Sequence, residues 1–325
     1  MALRGESGWQ AVHCKAFGKE RWLHLRTALR QPVNHVVLVN PFLSAARREE
    51  FCKLHALQPH DTIPNVFTPN ELIGGEEDGE GVLPQPDNMD SEMLPCYYLD
   101  GASAVAAAAM NVEPGSSVLD LCAAPGGKSL MLASTMFAGD QPLQTHDPGR
   151  LVCNEMSRPR LQRLHRVLSS FLPAEMLSSG ATGRVTITNV DAASIVCPLQ
   201  LQRLAPFDYI LIDAPCTSDR HLVHQGTALA HWAAGAVKAN AERQLELLRC
   251  ASALVKPRGI LLYVTCALSE TENDGVVQKF LKKGGFLPEA VQDLTGKGDQ
   301  TNFGVLILPD RTPFGPMYIA RLRRE

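Results

Sequence analysis

Long apolar runs are missing from this 325-residue chain, and no stretch approaches the roughly 20 residues that a membrane-spanning helix needs. The nine cysteines are scattered, without a Cys-x-x-Cys pair, which argues against a disulfide framework and against a structural zinc site. Free thiols favour a reducing compartment. The N-terminus lacks the apolar core of a secretory signal. With 45% hydrophobic and 20% charged residues, the composition is that of a globular protein with a sizeable core.

A surplus of positive charge is also missing, since the net charge at pH 7 is −3. The acids are unevenly distributed, because eight of them lie between Glu71 and Glu92, where there is no Lys or Arg. Without those eight charges the net charge of −3 becomes +5. Nucleic-acid binding depends on where positive charge clusters and not on the total, so the composition does not exclude a nucleic-acid partner.

The first 95 residues differ in pattern from the rest of the chain. Trp22–Leu29 predicts a short amphipathic helix, and Val36–Val39 predicts a strand. Residues 68–95 are rich in Gly, Pro and acids, which is typical of a loop or linker. We therefore predict an N-terminal helical extension over residues 1–95, which includes this acidic Pro/Gly-rich loop, and a larger domain over residues 96–325.

From residue 96 onward, strand-like apolar runs alternate with helical patterns. The predicted strands are Ser117–Leu121, Arg150–Glu155, Val185–Val190, Asp208–Asp213 and Gly259–Thr265, and the predicted helices are Lys128–Phe137, Pro159–Phe171, Ala234–Val255 and Glu270–Lys283. Such alternation indicates a parallel sheet covered on both faces. Val305–Leu308 and Met317–Leu322 are joined by a short connection that suits an antiparallel pair. The predicted fold is α/β and Rossmann-like, of the class I methyltransferase type, with a mostly parallel sheet and an antiparallel C-terminal strand.

The first predicted strand of the larger domain runs into a glycine-rich turn that ends at Lys128. Small residues let the backbone approach a ligand closely, and the helix N-terminus that follows favours an anionic group. The next three strands end in Glu155, Asp191 and Asp213, where carboxylates can accept from ribose hydroxyls or an adenine amino group. The turn is not Gly-x-Gly-x-x-Gly, so the pattern favours an adenosine ligand other than NAD. The alternative is a structural turn followed by helix-capping acids.

Two cysteines follow the last two parallel strands. Cys216 comes just after Asp213, and Cys266 follows the strand that ends at Thr265. Parallel strands place both thiols at the ligand edge of the sheet. A cysteine elsewhere is more often a small buried hydrophobe, and we interpret Cys14, Cys52, Cys96, Cys153, Cys197 and Cys250 in that way.

A thiol at this edge suits methylation of carbon 5 of cytosine, which is a poor nucleophile. Addition of a thiolate to carbon 6 makes carbon 5 enamine-like and able to accept a methyl group. Asp213 could bond to N3 and the amino group of the base, and a second thiol could help product release. The base has to be unstacked, which favours single-stranded or loop RNA. The residues alone do not rank the two thiols.

Three stretches resemble the NOL/NOP/Sun RNA cytosine-5 methyltransferases, namely Leu119–Lys128, Asp213–Cys216 and Thr265–Cys266. The chain is similar in particular to the mitochondrial-type members, which methylate small-subunit ribosomal RNA or a mitochondrial tRNA. That narrower likeness rests on Tyr98–Ser103, Cys216–His221 and Phe314–Tyr318. One departure is Val264, because the family usually has Ser before the Thr-Cys pair.

The resemblance implies S-adenosylmethionine as the cofactor and no metal. The residues that it implies for cofactor binding are Cys122, Ala123, Ala124, Pro125, Gly126, Gly127, Lys128, Glu155, Arg160, Asp191 and Asp213. It implies that Cys266 is the nucleophile, that Cys216 assists product release, and that Asp213 belongs to the catalytic set. A mitochondrial location is expected from the resemblance, although no clear transit peptide is present, and a cytoplasmic or nuclear location is the alternative. The same resemblance allows a helical-repeat protein partner for targeting.

Other interpretations of the chain stay open. The basic clusters Arg158–Arg166 and Arg321–Arg324 either bind RNA phosphates or form solvated surfaces. A methyltransferase with a non-RNA acceptor is one alternative function, but such chemistry does not need paired thiols. A methyltransferase-fold RNA-binding or assembly subunit with little activity is another, and the intact acids and thiols argue against it.

Overall fold

The computed structural model describes residues 3–69, 93–138, 149–177, 183–194, 196–291, 294 and 297–325. The acidic segment of residues 71–92 therefore lies outside the described residues, as does most of the predicted loop over residues 68–95. Among the described residues, no helix combines the length and the apolar character that crossing a membrane requires.

Helices and strands alternate along most of the described chain. The helices are α1 Gly5–Phe17, α2 Lys19–Leu29, α3 Ala45–Leu54, α4 Gly101–Ala108, α5 Gly127–Phe137, α6 Arg158–Phe171, α7 Leu199–Gln202, α8 Asp219–His224, α9 Gly226–Ala230, α10 Ala234–Leu254 and α11 Asp274–Leu281. The strands are β1 His35–Val39, β2 Leu57–Pro59, β3 Val66–Pro69, β4 Cys96–Asp100, β5 Ser117–Asp120, β6 Arg150–Asn154, β7 Val185–Thr188, β8 Phe207–Asp213, β9 Val255–Thr265, β10 Phe286–Glu289, β11 Asp299–Gln300, β12 Val305–Ile307 and β13 Met317–Arg324. Ala174–Leu177 and Glu270–Glu272 form 3-10 turns.

The chain divides into two compact units. Met1–Pro32 and Val190–Glu325 form one, here called the terminal unit, and Val33–Asn189 forms the other, the central unit. The domain boundary proposed from the sequence, between residues 95 and 96, falls inside the central unit and just before β4. The boundary between residues 95 and 96 stays a prediction.

The central unit contains two sets of paired strands. Strands β5, β6 and β7 pair in parallel, and their buried runs include Val118–Asp120 and Leu151–Asn154. Strands β2, β3, β1 and β4 form an antiparallel sheet in that order. Val36–Val39 in β1 is wholly buried, which fits a strand covered on both faces. The sequence pattern predicts β1 but not this sheet, because β2 and β3 are too short to show a clear period.

In the terminal unit, the long strand β9 is the centre of the pairing. It pairs in parallel with β8 and antiparallel with β13, which also pairs with β12 and β10. Leu261–Val264 in β9 is completely buried. Helix α10 packs against both β8 and β9 through apolar residues that include Leu247, Leu248 and Leu254. The predicted α/β class, the parallel strands and the antiparallel C-terminal strand are confirmed.

One predicted helix is interrupted. The pattern over Glu270–Lys283 predicts a single helix, whereas the chain forms the 3-10 turn Glu270–Glu272 and then α11. Asn273 lies between them with φ −107° and ψ −109°, which is not a helical conformation. Its side chain bonds to Thr265 and Ala267, which flank Cys266.

Asn40 in the central unit provides a test of this fold. Its buried amide Nδ2 donates to Leu94 O and Phe171 O, both at 2.8 Å, and its Oδ1 accepts from Phe42 N at 3.0 Å. Asn40→Ala leaves these partners without a bond, so we expect the free energy of unfolding to fall by about 2 kcal/mol or more. Urea unfolding measures the change. Asn302→Ala, which truncates an exposed side chain, is the control. An equal fall in the free energy of unfolding of both variants would contradict the structural role of Asn40.

Candidate active site

The glycine-rich turn of the central unit connects β5 with α5. Buried Asp120 ends β5, and its Oδ2 accepts from Ser129 Oγ at 2.7 Å, which ties the strand to the first turns of α5. Ala123 N donates to Asn154 O at 2.8 Å, which ties the turn to the end of β6. The turn is thus held from both sides, by the end of β6 and by the first turn of α5.

Both glycines of the turn occupy positions where a side chain would not fit. Gly126 has φ +124°, and a Cβ there would lie 2.9 Å from Val167 Cγ1. A Cβ on Gly127 would lie 2.9 Å from Tyr97 Cε1. Close backbone approach and the left-handed conformation explain why the turn needs glycine, as the sequence pattern predicts.

Glu155 follows β6, and its side chain is buried. Oε1 accepts from Ser157 N at 2.8 Å, while Oε2 lies 3.3 Å from Arg160 Nη1 in an ion pair. Within the described residues, Oε2 accepts no hydrogen bond. A buried carboxylate oxygen without a donor is unfavourable, so this atom suits a hydroxyl donor on a ligand, such as a ribose.

Arg160 connects Glu155 with the turn. Besides its ion pair with Glu155, it donates from Nη2 to Ala124 O at 2.5 Å. Lys128, at the start of α5, donates from Nζ to Ser103 Oγ at 3.0 Å. The predicted cofactor residues of the central unit are therefore linked to one another or to its helices, and their donor and acceptor set fits the carboxylate and ribose of an adenosine cofactor.

The remaining predicted cofactor acids belong to the terminal unit. Asp191 is about half exposed, and its Oδ1 accepts from Ala193 N at 3.0 Å and from Arg243 Nη2 at 2.8 Å. Asp213 ends β8, is partly buried, and lies opposite Val264 in the register of β8 and β9. Arg243 has no signal in the sequence, because its partner is 52 positions away.

The two predicted thiols are neighbours in the terminal unit. Cys216 Sγ lies 3.2 Å from Cys266 Sγ. The strands bring them together, because Asp213 pairs with Val264 and Ala214 N donates to Val264 O at 2.9 Å. Ser218 Oγ is 3.2 Å from Cys266 Sγ, a contact that the sequence does not predict.

Cys216 lies in a buried and negatively charged environment. The pKa of Cys216 is raised well above its usual value, first by the hydrogen bond to Cys266, then by burial and by the negative charges of Cys266 and Glu272. The protonated form of Cys216 is therefore favoured at neutral pH, and an S–H there can donate to the sulfur of Cys266. The contribution of Glu272 is not visible in the sequence.

Asp219 connects the two thiol segments with the first helix of the terminal unit. It begins α8, just after the Cys216 segment, and is fully buried. Its Oδ2 accepts from Leu268 N, two residues after Cys266, and its Oδ1 accepts from Trp9 Nε1 in α1, both at 2.7 Å. The terminal unit thus joins residues of α1, α8 and the Cys266 segment around one carboxylate.

The six cysteines interpreted as small apolar residues are buried or partly buried. Cys96, Cys153 and Cys250 are buried, while Cys14, Cys52 and Cys197 are partly buried. Burial raises the pKa of the Cys96 thiol to about 11, so it stays protonated. In the part of the chain that the structure describes, no group of three or more His, Cys, Asp or Glu side chains could hold a metal ion.

The two basic clusters differ. Arg158, Arg163, His165 and Arg166 on α6 are exposed. At the end of the chain, Arg321 and Arg323 form ion pairs with Glu289 at 2.8 and 2.6 Å, and Arg324 Nη1 donates to Val255 O at 2.5 Å. The C-terminal arginines therefore serve mainly to fasten β13, whereas the α6 cluster is available to phosphates.

Comparison with known proteins gives consistent matches. Residues 107–323 match the family model described as 16S rRNA methyltransferase RsmB/F. A mouse protein named mitochondrial tRNA (cytosine(34)-C(5))-methyltransferase is 33% identical over 256 residues, which cover 74% of this chain and 68% of that protein. A Xenopus laevis protein named 5-cytosine rRNA methyltransferase NSUN4 is 34% identical over 370 residues, covering 93% and 86%.

A solved structure supports the fold. A methyltransferase homologue from Pyrococcus horikoshii superimposes with a TM-score of 0.70 at 21% identity, over 95% of this chain and 92% of that one. At this identity the likeness concerns the fold alone. The family match spans most of the chain and agrees with the relatives, the fold and the glycine-rich turn. This chain therefore belongs to the RsmB/F methyltransferase family, whose enzymes methylate RNA with S-adenosylmethionine.

Proposed function

We propose that this chain transfers a methyl group from S-adenosylmethionine to carbon 5 of cytosine in RNA, through a covalent bond between Cys266 and carbon 6 of the base. The observation that carries the proposal is the pair of thiols 3.2 Å apart at the ends of β8 and β9. Carbon 5 is a poor nucleophile that needs covalent activation, whereas methylation of an oxygen or nitrogen acceptor needs no thiol.

The proposed reaction uses the two thiols in different roles. S-adenosylmethionine supplies an electrophilic methyl group. Cys266 Sγ, as a thiolate, bonds to carbon 6, and the displaced electron pair makes carbon 5 nucleophilic. Asp213 is proposed to bond to N3 and the amino group of the base. After methyl transfer the carbon-5 proton passes to a base, the C5–C6 double bond forms again, and Cys266 leaves as a thiolate.

The raised pKa of Cys216 supports this division of roles. A thiol that stays protonated is a poor nucleophile but a good donor, since the thiolate is the reactive form. Its S–H is proposed to donate to Cys266 Sγ and to stabilise that sulfur as it leaves carbon 6. The ranking itself is the one that the family resemblance implies, with Cys266 attacking and Cys216 assisting release.

Cofactor binding is proposed to rest on the residues that the sequence predicts. Glu155 Oε2, a buried acceptor, suits a ribose hydroxyl, and Arg160 holds Glu155 next to the turn. The turn Cys122–Lys128 leads into the N-terminus of α5, which suits the carboxylate at the methionine end of the cofactor. Asp191 and Asp213 complete the proposed set.

The proposed substrate is ribosomal RNA or tRNA. The names of the mouse and Xenopus relatives support this class, and the mouse name supports a mitochondrial location. The exposed basic face of α6 suits RNA phosphates. A helical-repeat protein partner for targeting stays a proposal from the family resemblance.

Substitution of each thiol tests the mechanism. We expect Cys266→Ala to abolish transfer of labelled methyl groups to total RNA, because no covalent adduct forms. Cys216→Ala should accumulate a protein–RNA adduct that survives denaturing electrophoresis, because release is slowed. The double variant should lose that adduct.

Cys197→Ala is the matched control, since this partly buried cysteine of the same unit lies outside the proposed site. It should keep wild-type labelling. The covalent mechanism through Cys266 is excluded if Cys266→Ala still labels RNA at the wild-type rate. The RNA acceptor is excluded if the wild type is active but labels only protein.

Cofactor affinity tests the assignment of Glu155. Glu155→Gln removes the charged acceptor, so we expect calorimetry to show binding of S-adenosylmethionine weakened roughly 10- to 100-fold, the effect of one hydrogen bond to a charged group. Glu113→Gln, at an exposed position, is the control. Unchanged affinity in Glu155→Gln would remove this residue from the cofactor site.

A further inference from the structure

We propose that Glu272 and Asn273 are positioning residues that hold the two thiol segments against each other. The proposal deepens the function proposed above and rests on it. These two residues are adjacent in the sequence. Glu272 is linked to the residues before and after Cys216, in one case through the side chain of Gln244. Asn273 bonds directly to the residues before and after Cys266. Their role is to fix the sulfur-to-sulfur distance, and they do not touch the reacting atoms.

Glu272 holds the Cys216 segment. Its carboxylate is fully buried and accepts three uncharged donors: Thr217 N at 3.0 Å, Thr217 Oγ1, and Gln244 Nε2 at 2.9 Å. The same Gln244 Nε2 also donates to Pro215 O at 2.9 Å. Residues on both sides of Cys216 are therefore tied to one carboxylate.

Asn273 holds the Cys266 segment in the same manner. Its Oδ1 accepts from Thr265 Oγ1 at 2.6 Å, and its Nδ2 donates to Ala267 O at 2.9 Å. Thr265, Ala267 and Asn273 are all buried, so water does not compete for these bonds. Residues on both sides of Cys266 are thus tied to one amide.

The backbone between these two side chains is itself fixed. Buried Tyr263 in β9 donates from its hydroxyl to Glu272 O at 2.6 Å. The non-helical conformation of Asn273 breaks the helix at this point and turns consecutive side chains toward different segments. One dipeptide anchored to β9 therefore sets the positions of both thiols, and this explains the interrupted helix between residues 270 and 283.

The charge of Glu272 adds an electrostatic effect. Burial raises the pKa of Glu272, while the bonds from Thr217 and Gln244 oppose that rise and stabilise the carboxylate. Its negative charge contributes to the raised pKa of Cys216. The titratable groups that face Cys216 in the described structure also include Cys266 and Tyr263, and Asp219 acts on Glu272. Removal of the Glu272 charge should therefore lower the pKa of Cys216 while the other groups remain.

Alkylation kinetics without RNA test this proposal. Iodoacetamide labelling of Cys216 and Cys266 is followed by mass spectrometry as a function of pH. We expect Glu272→Gln to move the labelling profile of Cys216 to lower pH. In the methylation assay, Glu272→Gln and Asn273→Ala should lower kcat roughly 10- to 100-fold, the effect of a small displacement of reacting groups. KM for RNA and the affinity for S-adenosylmethionine should stay at wild-type values.

Asp274→Asn is the matched control, because Asp274 is the next residue and is a buried carboxylate with a similar set of donors. It accepts from Tyr318 OH at 2.6 Å, and from Thr301 Oγ1 and Asn302 N at 2.8 Å. These bonds do not involve the thiol segments. We expect Asp274→Asn to lose stability without a change in the alkylation profile of the two thiols or in kcat. If Glu272→Gln does not fold, Thr217→Val tests the positioning role through kcat, since it removes one bond to Glu272, keeps the side-chain shape and leaves the Glu272 charge in place.

The outcomes separate this proposal from the function on which it rests. A wild type that methylates no RNA contradicts the proposed function, whereas the alkylation profiles still decide the positioning role. The positioning role is overturned if the wild type is active and both Glu272→Gln and Asn273→Ala give the same alkylation profile and the same kcat as Asp274→Asn. That result leaves the proposed function intact.

Discussion

The register of β8 against β9 determines where the two thiols lie. Asp213 pairs with Val264, and each chain then leaves its strand within three residues, which puts the sulfurs of Cys216 and Cys266 3.2 Å apart. A shift by one residue would turn every side chain of β9 to the opposite face. The hydrogen bond between the thiols and the bonds from Glu272 and Asn273 depend on this register.

Negative charge surrounds the thiol pair. The pKa of Cys216 is raised by the hydrogen bond to Cys266, by burial and by the charges of Cys266 and Glu272, so Cys216 favours its protonated form. Two thiolates at this distance would repel each other strongly in a site of low polarity. In the proposed mechanism, a protonated Cys216 stabilises negative charge on Cys266, both when that thiol attacks and when it leaves carbon 6.

The sequence predicts the parts of this structure that depend on local pattern. Apolar runs indicate the parallel strands, and glycine at positions 126 and 127 indicates a turn with no space for side chains. Side-chain contacts are not visible in the pattern, whether the partner is near or distant in the sequence. Glu272 and Asn273 lie in an apparently continuous helix, and their partners Thr217 and Ala267 are identified only by the structure. The C-terminal arginines resemble an RNA-binding cluster until Glu289 is seen beside them. The ranking of the two thiols comes from the family resemblance and not from the local pattern.

The central claim is that Cys266 carries the base during the reaction. RNA containing 5-fluorocytidine tests it most directly, because fluorine at carbon 5 is not released as a proton would be, and the adduct cannot eliminate after methyl transfer. Digestion and tandem mass spectrometry of the trapped wild-type protein then identify the residue that carries the nucleotide. The account predicts a methylated nucleotide on Cys266. Attachment to Cys216, or complete turnover of unfluorinated RNA with no residue ever trapped, would contradict it.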